Sequence, residues 1–172
     1  LSQFKNWYCQ AGTPEVSAQT SYQNGQLSIS VLQHCKPTPE NQNKKPFHIP
    51  IRVGLFDESG HLLDIGQDIF ELKEKSETFV IKNLNHKPLI SLLRGFSAPV
   101  KLSFDQDGQE LAALLRYETD GYAKWRAGQR LAVDVLKKAY LEQAGSYELP
   151  DYLKEAFLNM LLDEGVDKAL RA

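Results

Sequence analysis

The feature that most constrains the fold of this chain is a change in hydrophobic period at Asp107-Gly108. Before that point, apolar residues recur at every second position, as in residues 27–31. After it they recur at steps of three and four, beginning at Leu111. The first period is typical of half-buried strands and the second of amphipathic helices. Because the strand pattern ends before the main helical pattern begins, the sequence predicts two successive modules rather than an interleaved α/β fold.

Turn signals divide the first module into about eight short strands. Gln23-Asn24-Gly25 predicts a tight hairpin, and Asp57-Glu58-Ser59-Gly60 predicts a second one. The proline-rich loop at residues 36–46 is expected to cross between two sheets. Closely spaced short strands predict an Ig-like antiparallel β-sandwich followed by a helical segment, which is α+β by content. The predicted strands cover residues 16–20, 27–31, 48–56, 61–65, 69–72, 78–81, 89–93 and 100–104.

Helical periods occur at both ends of the chain. Residues 1–11 read as a short helix that ends at Gly12-Thr13-Pro14. Asp120 is expected to cap the longest helix, and the last one begins at Pro150 and ends at Gly165, before the pattern resumes in residues 166–172. The apolar stripe expected on the longest helix comprises Tyr122, Trp125, Gln129, Ala132, Val133, Leu136 and Tyr140.

Composition excludes several classes of partner. The chain has 172 residues with 20 basic and 22 acidic side chains, so its net charge of -2 does not indicate a nucleic-acid surface. It contains no apolar run of the roughly 18–20 residues that span a bilayer, so we expect no membrane contact. Two cysteines, Cys9 and Cys35, are more consistent with reduced thiols in the cytoplasm than with a disulfide scaffold. Because the first residue is Leu and the only methionine is Met160, we expect a piece of a longer protein.

The sequence contains no recognisable catalytic or metal site. A zinc-peptidase helix needs two histidines four residues apart, with a glutamate after the first. The four histidines do not have that spacing. Neither cysteine belongs to a recognisable nucleophile pattern, although His34 precedes Cys35, and the acidic pairs Asp57-Glu58 and Asp163-Glu164 are explained by a turn and a helix end. We therefore expect no catalytic residue, metal ligand or cofactor in this chain. The histidines are His34, His48, His61 and His86.

A few side chains instead suggest structural contacts. Arg94, between apolar residues, is suited to clamp a carboxylate or carbonyl on a neighbouring element. Trp125, with Tyr122, is expected to anchor the core or a contact between domains. Lys44-Lys45 are expected only to solubilise their loop.

The run Ser91-Leu92-Leu93-Arg94-Gly95-Phe96-Ser97-Ala98-Pro99-Val100-Lys101-Leu102 carries a resemblance to a known family. With the residues given below, it resembles the bacterial aminopeptidase N family of zinc metallo-aminopeptidases, the M1 family, over residues 1–172. The similarity falls on that family's β-sandwich and the start of its C-terminal helical domain, after the catalytic domain. The supporting residues are Phe4, Trp7-Tyr8 and Gln10-Ala11-Gly12-Thr13-Pro14 upstream, and Asp120, Trp125, Ala127 and Gln129 downstream.

This resemblance implies a domain division and a role. Residues 1–12 would end the catalytic domain, residues 13–105 would form the sandwich, and residues 106–172 would begin the helical domain. The chain would then be a non-catalytic linker in an enzyme that releases N-terminal amino acids from peptides, with zinc bound elsewhere in the parent. Its partners would be the other domains of the same polypeptide. The expected structural and inter-domain residues are Trp7, Tyr8, Arg94, Phe96 and Trp125.

Three further expectations remain open at the level of sequence. The first helix would have its partners in the catalytic domain, leaving Trp7 and Tyr8 without them. The truncated helical region would expose apolar faces, which would make the helices marginally stable or let copies of the chain associate. A free-standing Ig-like interaction or adhesion module is the alternative function, and a small hydrolase using Cys35 or His48 is a third.

Overall fold

The computed structural model describes residues 2–141 and 148–162. Within them the first module has seven strands rather than about eight, and four α-helices occur in all. Gly165 and residues 163–164 and 166–172, for which the sequence makes predictions, lie outside the described residues. The strands are β1 (Glu15–Gln23), β2 (Gln26–His34), β3 (Ile49–Phe56), β4 (Ile69–Leu72), β5 (Ser76–Ile81), β6 (Leu89–Leu92) and β7 (Lys101–Phe104). The helices are α1 (Asn6–Cys9), α2 (Gly108–Tyr117), α3 (Gly121–Leu141) and α4 (Asp151–Leu162), with 3₁₀ turns at Gln3–Lys5 and Arg94–Phe96.

The strands form two sheets, one in the order β5-β2-β1-β7 and the other in the order β4-β3-β6. This confirms the predicted Ig-like sandwich, and the loop at residues 36–46 crosses between the sheets as expected. One pairing departs from the antiparallel prediction, because β7 runs parallel to β1, with Val16 opposite Leu102. The chain reaches β7 by crossing from β6 in the other sheet, so no hairpin sets its direction.

The first predicted hairpin is confirmed. β1 and β2 pair along their full length, from Glu15 opposite His34 to Gln23 opposite Gln26. Asn24 and Gly25 at the turn have φ of 49° and 74°, the left-handed conformation that a two-residue hairpin turn requires and that Asn-Gly adopts at low cost.

The second predicted hairpin is wrong. Residues 61–65 form no strand, and their contact with β3 consists of a bridge between Phe56 and Leu62 and the Leu63 N–H bond to the Leu55 carbonyl. The ladder partners of β3 are β4 along its first half and β6 along its second. Alternation in sequence does not reveal that these later strands occupy the two edges of β3.

The sandwich core lies between the two sheets. Alternate residues point inward from every long strand, so that both sheets contribute apolar side chains to one cluster. Each fully buried Leu, Ile or Phe contributes about 1.5–3 kcal/mol of transfer free energy. Among its most buried members are Leu27, Ile29, Phe47, Ile49, Leu55 and Leu72.

The helical module begins with a capping box that the sequence analysis did not predict. The Asp107 carboxylate accepts the Glu110 N–H at 2.8 Å, and the Glu110 carboxylate accepts the Asp107 N–H at 3.2 Å. Asp120 caps α3 as expected, since its Oδ1 accepts the Ala123 N–H at 2.9 Å. These two caps set where α2 and α3 begin.

The stripe predicted on α3 is apolar, but it does not face the core of the helical module. The core side lies on the opposite face of the helix, and α2 packs against that side through its buried leucines. A Cβ at Gly128 would lie 3.3 Å from Leu115 Cδ1, so small side chains let the two helices approach closely. The buried face of α3 comprises Ala123, Lys124, Ala127, Gly128, Leu131 and Val135.

The N-terminal segment packs on the sandwich. The Trp7 ring lies 4.8 Å from the Phe47 ring between centroids, and its indole N–H donates to the His48 carbonyl at 2.9 Å. Trp7 therefore has its partners within this chain, contrary to the expectation that it lacks them. Tyr8, by contrast, is 83% exposed.

Candidate inter-module joint

The two modules meet where the 3₁₀ turn at Arg94–Phe96 contacts the segment that links α2 to α3. We call this contact region, together with the α3 contacts to β7, the joint. Leu93, Gly95 and Phe96 have φ of 61°, 64° and 50°, and a left-handed conformation costs a non-glycine residue about 1–2 kcal/mol. Surrounding contacts must offset that cost. The turn buries Leu93 and directs Arg94 toward the link, while Phe96 is half exposed.

Glu118 is the polar centre of the joint. Its side chain is 0% exposed, and its Oε1 accepts the N–H groups of Thr119 and Asp120 at 2.8 Å each. The same oxygen accepts Arg94 Nε at 3.1 Å and pairs with Arg94 Nη2 at 3.0 Å. Among the described residues Oε2 has no hydrogen-bond partner. A buried carboxylate that gathers donors from both modules fixes their relative position, because separating them would leave charge without a partner.

Arg94 is held over strand β3 as well as against Glu118. Its side chain is 12% exposed, its Nη2 also donates to Thr119 Oγ1 at 3.0 Å, and its guanidinium lies 5.9 Å from the centre of the Phe56 ring. A Cβ at position 54 would lie 2.6 Å from Arg94 Cδ, so this path of the side chain requires glycine there. Gly54 thus leaves room for the Arg94–Glu118 ion pair, which we call the clamp.

A second ion pair lies beside the clamp, nearer to solvent. Arg52 Nε donates to Asp68 Oδ2 at 2.8 Å, and this hydrogen bond raises the pKa of Arg52 and lowers the pKa of Asp68. The Ser97 hydroxyl accepts the Arg52 N–H at 3.1 Å and donates to the Pro50 carbonyl at 3.0 Å. Ser97 therefore ties the segment after the 3₁₀ turn to β3.

The other half of the joint is built by two arginines of α3. Arg126 donates to the Leu102 carbonyl at 3.1 Å, and Arg130 donates to the Phe104 carbonyl at 2.7 Å. These carbonyls belong to β7, the edge strand of its sheet. Arg130 also donates to Gln106 Oε1, and the Gln106 amide donates to the Ile90 carbonyl of β6. The arginines thus satisfy backbone acceptors on the edge of one sheet, and Gln106 links them to the other sheet.

An aromatic row lies on the surface of the joint. Phe96 and Tyr122 have ring centroids 5.0 Å apart, and those of Tyr122 and Trp125 are 6.1 Å apart. Phe96 and Trp125 are each 50% exposed. Farther along the outer face of α3, Leu136 and Tyr140 are also exposed. Exposed aromatic and aliphatic side chains grouped on one side of a molecule are typical of a protein contact.

The other candidate residues named from sequence make local contacts. His48 pairs with Glu71 and His61 with Asp57, and the hydrogen bond from the His61 N–H lowers the pKa of Asp57. Cys9 is an exposed free thiol. Cys35 is a buried one, and its Sγ faces carbonyl oxygens at 3.9 Å. Lys44 donates to the Ala11 carbonyl and to Thr38, which gives it a structural contact that the sequence does not indicate.

The described residues do not assemble a zinc site. Residues 2–141 and 148–162 contain no group of three or more His, Cys, Asp or Glu side chains that could hold a metal ion. No helix in these same ranges is long and apolar enough to cross a membrane. The described part of the chain instead forms a set of contacts between two modules.

The sequence analysis named some of the residues that lie at the joint and not others. It gave Arg94, Phe96 and Trp125 structural or inter-domain roles, and in the structure Arg94 bonds to Glu118 while Phe96 and Trp125 flank Tyr122. Glu118 was not named, although a lone acid between a helix and the Asp120 cap could have suggested a partner for Arg94. Arg126 and Arg130 read as ordinary surface charges of a helix, because their backbone acceptors are distant in sequence.

Comparison with known proteins shows which family models the chain matches. Residues 12–105 match the family model described as a domain of unknown function (DUF3458) with an Ig-like fold, and residues 108–172 match its companion described as DUF3458_C, ARM repeats. The first match covers more than half of the chain. The chain belongs to this Ig-like family. The boundary between the two matches coincides with the change of hydrophobic period at Asp107-Gly108.

Curated relatives extend the comparison. The chain is 33% identical to aminopeptidase N of Escherichia coli over 182 residues, an alignment covering 100% of this chain and 21% of the relative. It is 36% identical to aminopeptidase N of Caulobacter vibrioides over 177 residues, covering 100% of this chain and 20% of the relative. The chain thus spans about a fifth of the length of these relatives. It corresponds to the non-catalytic Ig-like and helical part of aminopeptidase N-like proteins.

A solved structure shows the same fold. The crystal structure of Legionella pneumophila aminopeptidase A in complex with aspartic acid matches with a TM-score of 0.83. The match covers 99% of this chain and 19% of that one, at 23% sequence identity. At this identity the likeness supports the arrangement of sandwich and helices, and nothing about substrate.

Proposed function

We propose that this chain is the structural link of a zinc-dependent aminopeptidase that releases N-terminal amino acids from peptides. The observation that carries the proposal is the alignment of the whole chain with about a fifth of aminopeptidase N. The joint supports it, because a buried carboxylate clamped between two modules is suited to hold neighbouring domains at a set spacing.

In this proposal catalysis belongs to another region of the same polypeptide. Zinc and its ligands would lie there, with the metal supplying an activated water for peptide hydrolysis. The division of labour follows the domain boundaries expected from sequence, with residues 1–12 joining the catalytic domain, residues 13–105 forming the sandwich and residues 106–172 beginning a helical array. The chain itself would contribute rigidity and orientation.

We assign the contact with the other domains to the exposed aromatic residues. Tyr8 extends from the N-terminal segment, and Phe96 and Trp125 lie on the aromatic row of the joint. Trp7 and Arg94 act inside the chain, where Trp7 fastens the N-terminal segment and Arg94 closes the joint. The exposed faces of α3 and α4 would pack on further helices, and in an isolated fragment they would allow copies to associate.

The test compares the intact polypeptide that carries this chain with residues 1–172 alone. Zinc content and the hydrolysis of a chromogenic aminoacyl substrate are measured for both. We expect zinc and turnover in the intact polypeptide only. An intact polypeptide with neither zinc nor aminopeptidase activity would contradict the proposal and favour the adhesion alternative, whereas turnover by residues 1–172 alone would favour the small hydrolase.

A matched pair of variants tests the contact surface. In the intact polypeptide, Phe96→Ser together with Trp125→Ser is expected to lower activity or thermal stability by loosening the contact between domains. The control is Leu32→Ser with Val80→Ser, which removes exposed apolar side chains from the sandwich, away from the joint. Equal effects of the two double variants would contradict the assignment of the aromatic row to a domain contact.

We also propose the cytoplasm as the compartment of the parent enzyme, because Cys9 and Cys35 are free thiols. Cell fractionation followed by immunodetection tests this, and recovery of the protein from a secreted or periplasmic fraction would contradict it.

A further inference from the structure

The arginine half of the joint holds more positive charge than its protein partners offset. Arg126 and Arg130 lie one helical turn apart on α3, and both are partly buried. Burial lowers the pKa of the Arg126 guanidinium, and the charge of Arg130 lowers it further. Two like charges brought together and partly removed from water are unfavourable unless an opposite charge joins them.

No carboxylate among the described residues supplies that charge. Neither arginine has an acidic oxygen within 4.0 Å, since the salt bridges of this part of the chain involve other residues. Asp134 follows Arg130 by one turn of α3 and forms no ion pair with it. The group whose charge favours protonated Arg126 is the Tyr122 phenol, which is a weak acid. The protein groups that accept hydrogen bonds from Arg126 and Arg130 are neutral: two backbone carbonyls and the side-chain amide of Gln106.

A small cavity lies beside the two guanidinium groups. Its volume is about 20 Å³, and it is lined by Arg126, Arg130, Gln106 and the buried Ser91, with apolar side chains such as Leu102 and Leu114 completing the wall. This space accommodates one water-sized particle and is open to solvent on one side. Each guanidinium has five N–H donors, and the bonds described above leave donors on both groups.

We propose that Arg126 and Arg130 bind a halide ion from the solvent in this cavity, which acts as a counterion inside the joint. The ion balances the like-charged pair in a space about the size of one water molecule. The arginines hold the edge of β7 against α3. A halide bound between them therefore strengthens the contact between the two modules. This inference stands independently of the proposed enzymatic role.

Crystallography in sodium bromide tests the site directly. Crystals of the intact protein are measured at the bromine absorption edge. We expect an anomalous peak within about 3.5 Å of nitrogen atoms of both Arg126 and Arg130, the range of a charge-assisted contact to a large anion. A cavity that holds water or remains empty at full bromide exchange would overturn the proposal. This measurement uses the unaltered protein and does not depend on the folding of any variant.

Thermal unfolding tests whether the ion matters in solution. At constant ionic strength, replacing bulky methanesulfonate by chloride or bromide is expected to raise the unfolding midpoint by roughly 2–4 °C. The shift should vanish in Arg126→Gln with Arg130→Gln. It should persist in Lys137→Gln with Lys138→Gln, which removes two exposed charges from the same helix. A halide-specific shift that survives the arginine change, or no such shift in the unaltered protein, would overturn the assignment.

Discussion

The sandwich and the helical module bury their apolar residues in different ways. In the sandwich, both sheets direct alternate residues into one core, and the opposite faces of β1 and β2 are largely polar. In the helical module, the core face of α3 includes the small residues Ala123, Ala127 and Gly128, and its outer face exposes large apolar residues. One module completes its own core, whereas the other has apolar surface that a further layer would cover. The exposed apolar residues of α3 and α4 are Trp125, Val133, Leu136, Tyr140, Leu141, Leu158, Leu161 and Leu162.

The difference teaches where the stability of the helices comes from. α2 and α3 pack on each other, and the sandwich residue Phe56 belongs to their core. The joint adds the Arg94–Glu118 clamp and the arginine contacts to β7. We therefore expect the helices to depend on the sandwich more than the sandwich depends on them.

The largest expected effect comes from cutting the clamp with Glu118→Ala. This change leaves Arg94 without its partner and the Thr119 and Asp120 N–H groups without their acceptor, so the free energy of unfolding should fall by about 3–5 kcal/mol. Urea titration followed by circular dichroism measures it. Glu155→Ala, which removes a charge from an exposed helix position, should change stability by less than about 0.5 kcal/mol. A cost for Glu118→Ala as small as the control's would show that the clamp does not hold the modules together.

Hydrogen exchange compares the modules within one molecule. Amides of β1, β2 and β3 are expected to exchange at least roughly a hundredfold more slowly than those of the second half of α3 and of α4, after correction for intrinsic rates. The reason is that α4 and the end of α3 have one packed side each. Dilute residues 1–172 are measured by mass spectrometry or NMR. Equal protection of helices and strands would contradict the expectation that the helical module is less stable than the sandwich.

Gly54→Ala tests the space that β3 leaves for the clamp. The new Cβ would lie 2.6 Å from Arg94 Cδ, so Arg94 must move and the free energy of unfolding should fall by about 1–3 kcal/mol. The loss should become much smaller when Glu118 has already been replaced by alanine, because the displaced guanidinium then has no bond to lose. A double-mutant cycle measures this coupling, and fully additive costs would show that Gly54 acts independently of the clamp.

The smallest expected effect is the pH dependence of the Arg52–Asp68 pair at the rim of the joint. The pKa of Asp68 is lower in the folded state, so its stabilisation is present above the ordinary carboxyl pKa of about 3.9. It is lost as the pH falls further, through the folded-state pKa. Unfolding midpoints of the unaltered protein and of Asp68→Asn should therefore differ at pH 6 and converge once the pH has fallen below the folded-state pKa. A difference that persists in acid would show that Asp68 acts through something other than its charge.

Local patterns predicted the elements well. The Gln23-Asn24-Gly25 turn, the crossing loop and the Asp120 cap were read from sequence because each depends on residues close together in the chain. The hairpin predicted after β3 does not form, because β4 and β6, which come later in the sequence, pair with the two edges of β3. The Asp107–Glu110 capping box was missed although its signal is local, an acid followed three residues later by Glu.

Helical periodicity alone could not say which face of α3 is the core face. Both faces of the helix contain apolar residues, and a pattern that favours large side chains selects the outer one. Gly128 lets α2 pack closely on α3, because a Cβ there would lie 3.3 Å from Leu115 Cδ1, and this face is the buried one. Size complementarity between two helices is a property of the pair.

The sequence by itself determined the order of the modules, most of the strands and the family resemblance, because period, turn chemistry and short motifs are written in neighbouring residues. Only the tertiary structure decided that Arg94 meets Glu118, that Arg126 and Arg130 reach β7, and that Trp125 lies on an outer face. Each of these contacts joins residues about 24 or more positions apart or depends on how two helices pack. A hydrogen bond or an ion pair is specified by where two groups meet in space, which the packing of both modules sets together.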